Sequence, residues 1–368
     1  MNIALFAGTF SLSGVPLAQY KLARAFSEDG HNVDLIYGKI LDKINLPSSK
    51  KFKIINFNKN RVSYMFFKIA RYLHEKKPDI VFSAGDHLNA IVLLAAILTN
   101  SKSKISCSSR VTPFDTYSNN LLSKGWLLKI IMKMVIYRAD VLTCVSKDMI
   151  NQYKALFKNT RHIPIYNIVK DQYSEGLMLE HLSKEEEVYF NKKKIVITAG
   201  MLEPWKRQED IIYAFNLLKE KNDLNLLILG EGSQKNKLND IIKRLNLKNS
   251  VFCLGNVKNP LKYFAKSNVF VLSSRVEGLP NVLVEAMMCG CTPVSTNCPT
   301  GPREVLQDGK YGYLVDVGNI EQISKSIHKA LNYPISKENL KDAIQEFREE
   351  KVIEKHFISL EIYKNKNV

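Results

Sequence analysis

Two glutamates, Glu277 and Glu285, bracket the run Gly278-Leu279-Pro280-Asn281-Val282-Leu283-Val284. The apolar stretch Asn268–Leu272 comes just before and reads as a strand. Pro280 and Asn281 then start a helix through Met288, stopped by Gly290. Pro suits the first turn of a helix and Gly its C-terminal end. A helix that opens where a strand ends presents unpaired N–H groups, which make an anion site. Glu285 falls about one turn into that helix, and Glu277 in the loop before it, so both carboxylates can line one pocket at different depths. Carboxylates are poor phosphate ligands but good acceptors for sugar hydroxyls. A sugar nucleotide offers both kinds of group: ribose hydroxyls, a pyrophosphate and hexose hydroxyls. Either glutamate alone reads as an ordinary surface acid; the ordered set after a strand is the specific signal.

A pyrophosphate calls for cations. Lys206 and Arg207 follow another strand that ends in a glycine, Lys194–Gly200. There they can face the helix N-terminus and neutralise a leaving diphosphate.

The elements that must hold these residues repeat along the chain. Asn2–Gly8 and Lys194–Gly200 are apolar runs ending in Gly, each followed by a helical pattern, Leu17–Phe26 and Gln208–Leu218. Further apolar runs lie at Asn32–Tyr37, Asp79–Ser83, Lys104–Cys107, Val141–Val145, Asn225–Leu229, Val251–Leu254 and Thr292–Ser295. Continuous Val/Ile/Leu runs between amphipathic stretches are the mark of buried parallel strands. The expected fold is α/β, with two doubly wound Rossmann-like domains facing a central cleft. The expected domains are 1–172, joined by a C-terminal helix at about 350–368, and 190–349. Between them the acidic stretch DQYSEGLMLEHLSKEEE loses the strand pattern.

Four segments together, AGMLEPWKRQEDIIYAF, LLILGEGSQ, VFCLGNVKNPLKYFAKSNVFVLSSRVEGLPNVLVEAMMCGCTPVS and CPTGPREVLQDGKYGYLVDVGN, closely resemble glycosyltransferase family 4. The resemblance spans about residues 195–325. It implies the two-domain GT-B fold and retaining transfer from a nucleotide sugar. It assigns Glu285 to the ribose and Glu277 to the neighbourhood of the donor sugar. Gly278 and the backbone of Leu279, Pro280, Asn281 and Val282 would line the sugar and phosphate pocket, Lys206 would contact the diphosphate, and Gly255, Asn256 and Val257 would meet the base. Many members carry Arg directly after the strand glycine, where this chain has Met201. Arg207 or the first domain is expected to supply that charge.

The N-terminal half resembles the family in outline only. Thr9-Phe-Ser-Leu-Ser-Gly14-Val15-Pro16 is similar to the family's glycine loop, with Gly14 near the diphosphate. The absence of a GxGxxG run argues against a dinucleotide dehydrogenase. Asp86 and His87 follow a strand where better-known members carry a polar residue near the reacting carbon, and are the candidate catalytic partners of Glu277. Arg110 also follows a strand and is expected to meet a phosphate on the acceptor. The resemblance implies no metal and no cofactor beyond the donor, and the sequence offers no DxD-type acidic site.

Charge points to the partner. Residues 1–170 hold 25 Lys and Arg against 10 Asp and Glu, while the remainder holds 28 against 26. One half is therefore expected to face a polyanion. Lys59–Lys77 and Leu121–Arg138 mix Lys and Arg with Tyr, Phe, Trp and Met, a pattern of helices that lie on anionic membranes. No nucleic-acid module accompanies the charge. The longest apolar run, Ala90–Leu98, is far short of the ~20 residues a membrane span needs, and the N-terminus reads as a buried strand, not a signal peptide. The six cysteines form no CxxC pair and read as free cytosolic thiols. The expectation is an enzyme peripheral on the cytoplasmic face of the inner membrane. It would transfer from a UDP-sugar to a polyprenyl-diphosphate-linked saccharide. Transfer to a soluble acceptor and a non-catalytic sugar-nucleotide-binding protein are the alternatives.

Overall fold

The computed structural model describes residues 1–10, 14–40, 52–158, 160–191, 193–218 and 223–362. It divides into two compact units, Met1–Ile168 with Glu349–Val368, and Val169–Arg348. Residues 169–189 thus go with the second unit.

The first unit is built on a seven-stranded sheet, β1 (Asn2–Phe10), β2 (Asn32–Ile40), β3 (Lys53–Asn56), β4 (Ile80–Ala84), β5 (Lys104–Ser109), β6 (Val141–Cys144) and β7 (His162–Pro164). The order is β3-β2-β1-β4-β5-β6-β7, and each neighbouring pair is parallel. Parallel neighbours need crossovers, and these are right-handed. The Gly14–Glu28 helix leads one way from β1; the Phe66–Lys76, Asp86–Leu98 and Lys124–Val135 helices serve crossovers running the other way. The latter three therefore form a layer on the opposite face, with Asp86–Leu98 packed against both of the others. The final helix, Glu349–Ser359, returns to pack on Gly14–Glu28. Phe357 lies 5.3 Å from the Phe26 ring, which stacks on Phe82 at 5.0 Å.

His356, on that final helix, is buried beside Phe26 and Phe82. Burial, reinforced by the positive charge of Arg110, pushes its imidazole down to about 3. The folded His356 stays neutral where the unfolded one, near 6.5, takes a proton. Its contribution is intact above pH 6.5 and is lost as pH falls toward 3, at up to about 1.4 kcal/mol per pH unit. Urea unfolding at pH 7 and pH 5 should show a smaller loss for His356→Gln than for the wild type. Equal losses would contradict a buried neutral histidine.

The second unit holds a six-stranded parallel sheet, β8 (Lys194–Ala199), β9 (Leu224–Leu229), β10 (Val251–Gly255), β11 (Val269–Leu272), β12 (Thr292–Thr296) and β13 (Tyr313–Val315). Its order is β10-β9-β8-β11-β12-β13. Val196, Leu226, Ile228, Val269, Val271 and Val294 form the core of the sheet and are buried. The two sheets bear out the doubly wound α/β expectation. Three strands escaped the sequence reading, β3, β7 and β13, and each is a short edge strand. An edge strand has one partner and more water, so its sequence lacks the unbroken apolar run of an interior strand.

Strand order reverses between β1 and β4 in the first sheet and between β8 and β11 in the second. In open parallel sheets, ligands bind beyond the strand ends at such switch points. The loops that carry Gly14, Asp86, His87, Lys206, Arg207 and Glu277 leave from these four strands, whereas Arg110 follows β5 and Gly255–Val257 lie at the end of β10.

Candidate active site

In the second unit, two loops leave neighbouring strands side by side. The loop after β8 runs from Gly200 to a short turn at Pro204–Lys206; the loop after β11 begins at Ser273. Backbone and hydroxyl bonds lace them together. The Arg275 N–H donates to the Trp205 carbonyl at 2.7 Å, and Ser273 Oγ to the Lys206 carbonyl at 2.7 Å. Across that seam Lys206 Nζ meets Glu277 Oε1 at 2.6 Å. Ser274 Oγ donates to the same oxygen at 2.6 Å, and Thr296 Oγ1, from β12, donates to the Ser274 carbonyl at 2.6 Å. Thr300 Oγ1 donates to the Glu277 carbonyl. Glu277 is thus fixed by its carboxylate and its backbone, with Ser274, Thr296 and Thr300 buried around it.

The sequence reading named Glu277 and Lys206 but missed these hydroxyls. The available signal was two consecutive small hydroxyl residues, Ser273-Ser274, directly after a fully buried strand.

The Asn281–Met288 helix follows, with Pro280 at its N-cap position, where it makes no side-chain cap hydrogen bond. Leu283, Val284, Ala286 and Met287 are buried and anchor it. Asn281, Val282 and Glu285 are only partly buried, and Asn281 and Glu285 lie one turn apart on one side. The turn entering the helix is gripped from behind. Gly301 has φ +92°, and a Cβ there would lie 2.7 Å from Pro280 Cδ and 3.0 Å from the Gly278 carbonyl. Gly301→Ala should displace the Gly278–Pro280 turn and cost about 1–3 kcal/mol through positive φ and crowding. Chemical denaturation measures that loss; stability within about 0.5 kcal/mol of wild type would refute the tight approach.

Arg207 takes a left-handed conformation before the Gln208–Asn216 helix. Its guanidinium is held by the buried Asp210, Nε to Oδ2 at 2.6 Å and Nη2 to Oδ1 at 3.1 Å. Each of the two candidate cations is therefore paired with a carboxylate. Met201, in the place where the family often has Arg, is exposed.

Gly255 ends β10 with φ +70°, and a Cβ there would lie 2.8 Å from Glu231 Oε1, which is itself paired with Lys235 at 2.7 Å. Its carbonyl accepts from the Gly230 N–H at 2.8 Å. Asn256 beyond it is exposed and Val257 partly so.

In the first unit, Ser11–Ser13 of the glycine loop lie outside the described residues; Gly14 begins its helix with φ +56°. Asp86 and His87 point opposite ways. His87 is exposed, whereas Asp86 is buried and accepts from Ser109 Oγ and Tyr153 Oη, each at 2.6 Å. Burial raises the Asp86 carboxyl, opposed by its hydroxyl partners. That setting gives Asp86 a part in the core and leaves His87 as the presented side chain. The Arg110 guanidinium is turned inward, where Nη1 donates to Asn167 Oδ1 and burial pushes it down to about 10.

The chain matches the family model described as Glycosyl transferases group 1 over residues 181–347, and Glycosyltransferase Family 4 over residues 13–172. It is 36% identical to an uncharacterized glycosyltransferase of Methanocaldococcus jannaschii, over 70% of this chain and 67% of that protein. This chain belongs to the family 4 glycosyltransferases. The transferase is also 30% identical to a Campylobacter jejuni enzyme, N-acetylgalactosamine-N,N'-diacetylbacillosaminyl-diphospho-undecaprenol 4-alpha-N-acetylgalactosaminyltransferase, over 70% of this chain and 68% of that one. Its fold matches Anabaena Alr3699/HepE, solved in complex with UDP and glucose, with a TM-score of 0.74 at 15% identity over 99% of this chain and 100% of that one. The fold of the transferase is GT-B.

Proposed function

We propose that this glycosyltransferase retains configuration while moving a hexose or N-acetylhexosamine from a UDP-sugar to a polyprenyl-diphosphate-linked saccharide. It would work at the cytoplasmic face of the inner membrane, in surface-polysaccharide or glycan synthesis. The observation that carries the reading is the Lys206–Glu277 pair at 2.6 Å, set where the second sheet's strand order reverses and just before the helix that bears Glu285. Cation, carboxylate, helix N-terminus and second carboxylate match the diphosphate, sugar and ribose of one donor. The Campylobacter relative, named for transfer to an undecaprenol-linked saccharide, supports the acceptor class. The Anabaena structure, which holds UDP and glucose, supports the donor.

In this reading, Lys206 Nζ and the N–H groups opening the Asn281–Met288 helix draw the diphosphate's developing charge. That stabilisation, with fixed orientation, supplies most of the rate. The sugar hydroxyls take over Glu277 as Lys206 turns to the phosphate. The acceptor hydroxyl attacks from the face the diphosphate leaves, and a donor phosphate oxygen takes its proton. His87 is the exposed polar group assigned to the acceptor side. No metal is required, because Lys206 and the helix supply the positive charge.

Incubation with single UDP-sugars and an undecaprenyl-diphosphate saccharide, in EDTA, tests this. Release of UDP with an α-linked product from an α-linked donor is expected. An inverted product, or activity restored only by a divalent cation, would overturn the mechanism.

A further inference from the structure

The Lys124–Val135 helix is apolar on two sides. Leu128, Met132 and Val135 are buried in the first unit. On the other side Leu127 and Met134 are 53% and 61% exposed, and Trp126 and Ile130 beside them are partly buried. A second apolar stripe on a surface helix calls for an apolar partner, yet here the outer stripe faces solvent. The stripe continues past both ends of the helix. Leu121 and Leu122 precede it at 76% and 90% exposed, and Tyr137 follows at 72%. Ser123 Oγ caps the helix by accepting from the Trp126 N–H at 3.1 Å, so the leucine turn and the helix are joined.

Charge says what covers this stripe. Residues 116–138 contain no Asp or Glu, while Lys124 and Lys133 are exposed and Lys129 partly so. The Phe66–Lys76 helix, in the same layer, adds Phe67 at 82% exposed. Protruding single leucines and aromatics amid lysines suit a fluid anionic surface, where apolar side chains enter the headgroup boundary and amines meet phosphates.

We propose that this face docks on an anionic lipid bilayer, with Leu121, Leu122, Leu127 and Met134 inserted and Lys124, Lys129 and Lys133 at the lipid phosphates. The proposal rests on the lipid-linked acceptor reading above and says which surface meets the membrane.

Sedimentation with vesicles of phosphatidylglycerol and phosphatidylcholine, and with phosphatidylcholine alone, tests it. The wild type should pellet with the anionic vesicles and be released by salt. Leu121→Gln/Leu122→Gln/Leu127→Gln should bind about tenfold more weakly, while Leu217→Gln, an exposed leucine of the second unit, should bind as the wild type does. An unchanged circular-dichroism spectrum and urea-unfolding transition of the triple variant show that its first unit, which carries the three leucines, is folded. No binding by the wild type, or equal binding by the triple variant, would overturn the proposal. Equal loss in the triple variant and Leu217→Gln would overturn it too, since the contact would then not be local. Transfer to a short-chain, water-soluble acceptor separates the two readings. If that transfer fails while vesicle binding follows the stated pattern, the lipid-linked acceptor reading falls and the membrane face stands.

Discussion

Replacing Glu285 by alanine is expected to weaken UDP binding by about 10- to 100-fold, the worth of charge-assisted hydrogen bonds to the ribose hydroxyls. The reason lies in the helix. Its buried residues, Leu283, Val284, Ala286 and Met287, fix it against the sheet, so the Glu285 carboxylate is carried on a rigid base with little freedom to lose. The helix should survive the change, because Glu285 contributes none of those anchors and alanine is a strong helix former. Calorimetry with UDP reads the effect directly. Unchanged affinity would mean that the ribose is held elsewhere.

Glu277→Gln should act in the opposite sense on binding and catalysis. In the free protein Glu277 neutralises Lys206 at 2.6 Å. With glutamine there, Lys206 is released from that ion pair, and UDP without a sugar should bind about three- to tenfold more tightly. Transfer should fall by about 100- to 1000-fold, since the sugar loses the charged acceptor that positions it as the diphosphate leaves. The split between tighter nucleotide binding and lost turnover distinguishes a role at the reacting sugar from a structural one. A folding defect would lower both. Weaker UDP binding in Glu277→Gln would contradict the idea that the pair holds Lys206 in reserve for the diphosphate.

Much of this was legible in the sequence because the interior strands announce themselves. β1, β4, β8, β9 and β11 are buried along most of their length, so each is an apolar run, and Gly85 and Gly200, directly after β4 and β8, mark the loops; β1 runs two residues past Gly8, to Phe10. Gly230 illustrates why such glycines are fixed by packing. A Cβ there would lie 1.9 Å from the Gly200 carbonyl oxygen, and φ is +129°. The acid-bearing turn was legible too, since Glu277, Pro280 and Glu285 have a defined spacing on either side of a helix start. What the sequence did not disclose was pairing across loops distant in the chain. Glu277 was read as a sugar ligand and Lys206 as a phosphate ligand, 71 residues apart, with nothing to say that they meet. Arg207 was likewise read without Asp210, although the two are only three positions apart. Their bond depends on the left-handed turn at Arg207, which a sequence pattern does not specify. Asp86 was read beside His87 as one polar pair, and only the packing of Tyr153 and Ser109 separates a buried carboxyl from an exposed imidazole.

The most direct test of the central claim is a thermal-shift series, without metal, over UDP, GDP and ADP and then the UDP-linked hexoses and N-acetylhexosamines. A ligand at 100 times its dissociation constant adds ~2.7 kcal/mol, a clear rise in melting temperature. The account predicts a shift with UDP, none of similar size with GDP or ADP, and a larger one with a single UDP-sugar. No shift with any nucleotide, upheld by direct titration at high concentration, would contradict it.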